Sequence, residues 1–438
     1  MNEMQDFVLN IKKILGSFDG EIDLNKARLL IKELNEFLYT NYEDIGVTND
    51  NLEYFSNFHK YWETHHKEIL NVKIDDEACN IVADALHDVF ILTNGKAFQD
   101  IYDTFGLNSE EICRIRFLTA NQDFRGSRTF SELVEIYNSD NSIFDEKVIK
   151  ESPEDFLKNI KITSLSQNDK RVQYAKSIAN FLLEKQASPY SILEKYNYDV
   201  TEFKKALINL PHSGYGNKKA DMFIRDMIVL GIWKNVKNFE SINVASDVNT
   251  IKVALRTGIL KTEIPLVSSF LDIFCYQYSY IDDMNAKAWR RVWELWNEKY
   301  KNEAILSPCL LDYFIYNIVG KQFCKESLCL FEGDSCDHKF KWHSPMNKTC
   351  QECYKNGVRN KAHLVKKIMP CSDEEGFIVF KTNNFAKEYN IDNCPFITAC
   401  NKNGNKNLTP PKSISIWGQT GWTTAYAKKD NGGGGLMA

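Results

Sequence analysis

Two side chains whose types can do covalent chemistry stand 29 residues apart in this chain. Lys218 ends GYGNK within LPHSGYGNKKADMFIRDM (210–227), and Asp247 opens DVNTIKVALRTG (247–258). An amine can attack an electrophilic carbon as a nucleophile, and a carboxylate can stabilise the positive charge that develops as the leaving group departs. Gly214 and Gly216, just before the lysine, let a backbone come close to a phosphate, and the amides of a helix that starts there favour an anion. Lys219 is a second amine, adjacent to the first, while His212 and Tyr215 flank the glycines.

The elements that must position these groups are helices. DVTEFKKALINL (199–210) is amphipathic, Pro211 to Gly216 interrupt it, and Asn217 is a capping residue for the helix that follows. Ser246 is the capping candidate for the next one, with Asp247 in its first turn, where the helix dipole favours a carboxylate. The pattern therefore predicts helix, glycine hairpin, helix, with the lysine and the aspartate each at a helix start. Taken singly, Lys218 and Lys219 also suit surface phosphate contact and Asp247 also suits a simple cap.

With these residues in view, the chain resembles the helix-hairpin-helix (HhH-GPD) DNA glycosylase superfamily, which includes endonuclease III and the 8-oxoguanine DNA glycosylases. GYGNKKAD (214–221) is similar to the family hairpin, and DVNTIKVALRTG to the helix opened by its catalytic aspartate, continuing through Lys252, Arg256 and Gly258. FLTANQDFRGSRTFSELVEIY (117–137) is similar to the segment that carries a Gln near the gap left by a flipped nucleotide, here Gln122. KRVQYAKSIANFLLEK (170–185) is similar to the helix before the hairpin. The resemblance covers about residues 107–330. His212 and Ser213 lengthen the hairpin relative to the family, and the separation from Lys218 to Asp247 exceeds that of endonuclease III and is closer to the archaeal type of 8-oxoguanine glycosylase.

It implies a DNA N-glycosylase with abasic-site (β-elimination) lyase activity, in which Lys218 forms a Schiff base and Asp247 assists. Gly214, Gly216, Lys219, Gln122, His212 and Tyr215 would then touch double-stranded DNA with a flipped, damaged or modified base, although Gln122 also suits a helix surface, His212 also suits solvent and Tyr215 also suits packing on its own domain. The spacing favours an oxidised purine, and a naturally modified base on viral DNA is the second choice. A monofunctional glycosylase and a non-catalytic DNA-binding protein remain the competing readings.

A second signal is the group Cys324, Cys329, Cys336, Cys350 and Cys353, with His338 and His343 between them. In a reducing compartment such spacing fits metal ligation. Several family members carry an iron–sulfur cluster after the core, so the resemblance implies a [4Fe–4S] cluster, although the spacing departs from the family's. Zinc and unligated thiols fit too. Cys79, Cys113, Cys275 and Cys309 lie in apolar helical surroundings and read as buried thiols.

Length and composition set the frame. The 438 residues, 43% hydrophobic and 26% charged, are enough for two or three domains, and no apolar run suits a membrane span or a signal segment. The net charge of -5 is unevenly spread: residues 1–100 carry 9 Lys or Arg against 19 Asp or Glu, and residues 339–367 carry 8 basic residues against Glu352 alone. Local basicity is what phosphate contact requires.

These readings predict a mainly α protein. An acidic helical region spans 1–106, with FVLNIKKILGSF and NKARLLIKELNEFLYT as helices. A two-subdomain HhH-GPD glycosylase core spans 107–330. A small Cys-rich, basic α+β region spans 331–438, with strands at EEGFIVFKTN and SISIWGQTGWTTAYAKK. Trp289, Val292, Trp293 and Trp296 form one stripe at helical spacing, the mark of a buried face. A monomeric, cytoplasmic, DNA-associated enzyme is expected.

Overall fold

The computed structural model describes residues 70–99, 101–122, 128–162, 168–262 and 279–323. It also describes the short stretches 52–53, 67–68, 329–333, 336–341, 365–370, 393–403 and 427–428, and the isolated residues 6, 9, 10, 13, 389 and 391. Within these the chain is mainly helical. In chain order the principal helices are α1 (Asp76–Thr93), α2 (Ser109–Ala120), α3 (Phe130–Ser139), α4 (Glu146–Glu151) and α5 (Pro153–Asn159). They continue with α6 (Asn168–Lys185), α7 (Val200–Asn209), α8 (Asn217–Val229), α9 (Val248–Thr257) and α10 (Ser279–Tyr300). A π-helix (Phe314–Phe323) and α11 (Ile397–Asn403) complete the set.

The strands are short: β1 (Leu52–Glu53), β2 (Lys73–Ile74), β3 (Leu260–Lys261), β4 (Cys329–Gly333), β5 (Cys336–Lys341), β6 (Val365–Pro370) and β7 (Ala427–Lys428). They pair antiparallel as β1 with β7, β2 with β3, and β4 between β5 and β6. In the three-stranded sheet Phe331 stands opposite Phe340 on one side and Ile368 on the other. Of the expected helices within 7–40 only residues 9, 10 and 13 are described, and they are helical, while the expected strand EEGFIVFKTN lies outside the described residues.

The chain divides into two compact units, each discontinuous in sequence. The first comprises Met1–Leu92, Ser246–Asn302 and Phe314–Ala438, and the second Thr93–Ala245 with Glu303–Tyr313.

The second unit is built on α2, α6, α7 and α8. Periodic apolar residues bury Ile112, Ile115 and Phe117 on α2, Ile178, Phe181 and Leu182 on α6, and Phe223, Ile224 and Met227 on α8. Phe117, Phe203, Phe223 and Trp233 form its aromatic centre, with ring centroids 5.2 Å apart for Phe117 and Phe223 and 5.3 Å for Phe223 and Trp233. Such pairs add about 0.5–1.5 kcal/mol each beyond the area they bury. Beside them lies a buried ionic cluster. Asp226 accepts from Arg116 at 3.1 Å and from Arg225, and Arg225 also pairs with Asp312. Burial pulls the Arg225 guanidinium down, but Asp226 and Asp312 more than offset that and hold it above its ordinary range.

The first unit centres on α9, which packs against the π-helix, α10 and α11. Ile251, Val253 and Ala254 on α9 and Phe314, Ile315, Ile318 and Val319 on the π-helix are buried in its core. From the tryptophan stripe of α10, Trp289, Val292 and Trp296 are fully buried, whereas Trp293 is half-buried with the Arg290 guanidinium 5.9 Å from its ring. Cys79, Cys113 and Cys309 are buried thiols; burial pushes the Cys79 thiol up to about 12 and raises the other two as well. Cys275 lies outside the described residues.

Candidate functional site

In the second unit, α7 ends because Leu210 precedes Pro211 and takes an extended conformation, ψ 117°. The chain then turns through His212 at φ 56° and Gly214 at φ 70° and enters α8. Asn217 is not the cap, as the sequence suggested. Gly216 is the N-cap, at φ -103° and ψ -174°, and it makes no side-chain capping bond. A glycine has no side chain with which to cap α8, and Asn217 has already turned into the helix. Lys218 and Lys219 follow in the first turn, both half-buried.

Gly214 is required by space as well as by φ. A Cβ on it would come within 2.6 Å of Cδ2 of Tyr174 and 3.1 Å of Cβ of Asn121. Asn121, at the end of α2, clamps the hairpin from this side. Its Nδ2 donates to the carbonyls of Ser213 at 3.0 Å and Tyr174 at 3.3 Å, and its own carbonyl accepts from Nζ of Lys219 at 2.8 Å. Lys219 therefore ties α8 back to α2. Ser177 adds a bond to the carbonyl of Pro211 at 2.7 Å.

Gln122 and Tyr215 both point into the unit. Gln122 is fully buried and exchanges bonds with Arg171: its Nε2 donates to the Arg171 carbonyl at 3.1 Å, and the Arg171 guanidinium donates to the Gln122 carbonyl at 3.0 Å. Its Oε1 is buried without a hydrogen-bond partner, as is Oδ1 of Asn121. Tyr215 is 4% exposed and donates its hydroxyl to the Phe117 carbonyl at 2.7 Å, and burial raises its pKa. His212 is exposed at the tip. Lys218, Lys219, Gly214, Gly216, His212 and Tyr215 are thus gathered on one hairpin, with Asn121 and Gln122 behind it. A pocket of about 480 Å³ lined by Tyr190, Tyr198, Trp233 and Lys234 lies at the other end of α8, about 20 Å of helix away.

In the first unit, Asp247 itself is the N-cap of α9, at φ -146° and ψ 175°, in place of the expected Ser246. Its Oδ1 accepts from the Thr250 amide at 2.8 Å, while its own amide donates to Oγ1 of Thr250 at 2.9 Å. Its Oδ2 accepts from Nδ2 of Asn249 at 3.1 Å. Ser246 instead donates to Asp282 at 2.7 Å. Asn285, fully buried, donates to Oγ of Ser246 at 2.9 Å and to Oγ1 of Thr250 at 3.0 Å. Behind this turn stands the π-helix: a Cβ on Gly320 would lie 3.0 Å from Cβ of Asn249, and Nζ of Lys252 donates to the Gly320 carbonyl at 2.9 Å. Gly258 closes α9 at φ 78°, a left-handed C-cap.

Comparison of the chain with protein-family models, with curated proteins and with solved structures returned no match. The arrangement of residues is the whole basis for a functional reading.

Of the proposed metal ligands, Cys329 and Cys336 fall on β4 and β5, while Cys324, Cys350 and Cys353 lie outside the described residues. Among the described residues no group of three or more His, Cys, Asp or Glu side chains is placed to hold a metal ion, and no helix is long and apolar enough to cross a membrane. Sequence reasoning passed over Asn121, Asn249, Tyr174 and Gly320. Asn249 had a signal, an amide two positions beyond an N-capping carboxylate; Gly320 had none, because its role comes from a π-helix that no local pattern announces.

Proposed function

We propose that the chain is a DNA N-glycosylase with associated abasic-site lyase activity, in which Lys218 is the nucleophile and Asp247 its acidic partner. The two helical units are then the two subdomains of a helix-hairpin-helix core, carrying an N-terminal helical extension and a Cys-rich C-terminal region. The observation that carries this reading is the glycine hairpin. It delivers Lys218 in the first turn of a helix whose N-cap, Gly216, makes no side-chain capping bond. Backbone amides at such a start suit a phosphate of duplex DNA.

The chemistry follows from the groups. The neutral amine of Lys218 attacks C1′ of a flipped nucleotide, the bond from C1′ to the base breaks, and the base leaves with the electron pair and takes up a proton. The nitrogen loses a proton, the sugar ring opens onto its own oxygen, and an imine joins Lys218 to C1′. Loss of a proton from C2′ then breaks the C3′–O bond and cuts the strand. Asp247 stabilises the cationic sugar and takes the proton from the lysine nitrogen. The Cys-rich segment 324–353, whether it holds a [4Fe–4S] cluster, zinc or neither, contributes no step here.

The test is borohydride trapping on duplex DNA that carries an abasic site, which removes the identity of the base from the question. Wild type and Lys219→Gln should give a covalent adduct, Lys218→Gln none, and Asp247→Asn a much slower one. Absence of an adduct with every form would overturn the lyase and leave a monofunctional glycosylase or a binding protein.

A further inference from the structure

We infer that Asn249 is a positioning residue for Asp247, holding the carboxylate in one orientation while the π-helix holds Asn249. The inference rests on the glycosylase and lyase reading given above. A carboxylate at an N-cap has one oxygen committed by geometry, and the other is ordinarily left to solvent. Here Oδ1 takes the Thr250 amide at 2.8 Å and Oδ2 takes Nδ2 of Asn249 at 3.1 Å, so the group is fixed about its last torsion as well as in place. That torsion is broad for an unrestrained aspartate. Charge-assisted bonds of this kind are about twice as strong as neutral ones.

Asn249 is itself confined. The Gly320 backbone comes so close that a Cβ there would sit 3.0 Å from the Asn249 Cβ and 3.5 Å from its carbonyl. Gly320 is drawn in by Lys252, one turn along α9 from Asp247, which donates to its carbonyl at 2.9 Å. The ten residues Phe314–Phe323 wind as a π-helix, and such wide turns recur at functional sites. Thr250 is bonded to Asn285 and cannot swing away to offer Asp247 a different cap. The sidechain amide of Asn249 must present its NH₂ to the carboxylate, because its oxygen there would repel.

Three variants keep the Cβ that meets Gly320 and change only the group beyond it. Asn249→Ala removes the donor, Asn249→Asp puts a repelling oxygen in its place at nearly the same shape, and Asn249→His restores a donor at the same branch position. The experiment measures the single-turnover rate of borohydride-trapped adduct on an abasic-site duplex. Alongside it, the dissociation constant is measured for a duplex carrying tetrahydrofuran, which cannot form an imine. The expected result is a rate about tenfold lower for Asn249→Ala, from the loss of one charge-assisted bond. Asn249→Asp should be lower still, Asn249→His near wild type, and the dissociation constant within about twofold throughout. Equal rates for Asn249→Ala and Asn249→Asp, or a loss seen only as weaker binding, would overturn the inference and leave Asn249 a packing residue. A wild type that traps no adduct would overturn the lyase reading and this inference with it, whereas a wild type that traps, an Asp247→Asn that traps much more slowly, and unchanged Asn249 variants would overturn this inference alone.

Discussion

His212 sits exposed at the tip of the hairpin with φ 56°, a conformation that costs a non-glycine residue about 1 kcal/mol or more. His212→Gly should therefore raise stability by about 0.5–1 kcal/mol, measured by denaturant unfolding of the full chain. If the imidazole meets DNA, the same variant should bind an abasic-site duplex several-fold more weakly. A stability gain with unchanged binding would remove His212 from the interface. At this scale the sequence was partly legible. Helix-start chemistry marked Lys218 and Asp247, because capping residues and glycines act locally. It misassigned both caps by one position, choosing Asn217 over Gly216 and Ser246 over Asp247, since adjacent polar residues compete and only the path of the chain decides between them. The inward side chain of Gln122 was not legible, and for Tyr215 packing on its own domain and contact with DNA stood as equal readings. Their burial depends on Arg171, 49 residues beyond Gln122, and on the Phe117 carbonyl, 98 residues before Tyr215.

Among the elements, the glycine hairpin and the turn that opens α9 each rest on a glycine with no room for a side chain, Gly214 and Gly320. Gly320→Ala would set a Cβ 2.9 Å from the Ile315 carbonyl, a backbone atom of the same π-helix that cannot rotate away. A loss of about 1–3 kcal/mol is expected, the usual cost of overpacking, and chemical denaturation measures it. A neutral effect would mean that the π-helix relaxes to α-helical winding, which amide hydrogen exchange over residues 314–323 would reveal. The helices themselves were plain in the sequence wherever apolar residues recur at three and four, as in α7, α8 and α10. The π-helix was not, because its winding is set by what it packs against: Asn249 and Lys252 on α9.

For the whole molecule, the net charge of -5 and the acidity of residues 1–100 mean that the DNA contact of the proposed function would have to be local. Each phosphate neutralised contributes about -0.9 to the slope of log affinity against log salt, so a slope of roughly -2 to -5 is expected on an abasic-site duplex. Fluorescence anisotropy between low and moderate salt measures it, and a slope near zero would count against phosphate recognition by the hairpin. The mainly helical class was legible from composition and periodicity. The division into two units built from five segments was not, because apolar period says which face is buried and never which distant segment covers it.

That interleaving bears on how the chain is made. The second unit is finished only by Glu303–Tyr313, yet its main body ends at Ala245, and Ser246–Asn302 of the other unit must be synthesised in between. At about 5–20 residues per second, the ribosome needs roughly 3–14 s to pass from Ala245 to Tyr313. Through that interval α8 carries Arg225 and Asp226 without Asp312, and Ile242 waits for the Ser307 hydroxyl that caps its carbonyl. A nascent chain stalled before residue 303 should be more readily cleaved by protease within 93–245 than one released beyond 313, so an eleven-residue segment acts as the closing step of biosynthesis for the lysine-bearing half.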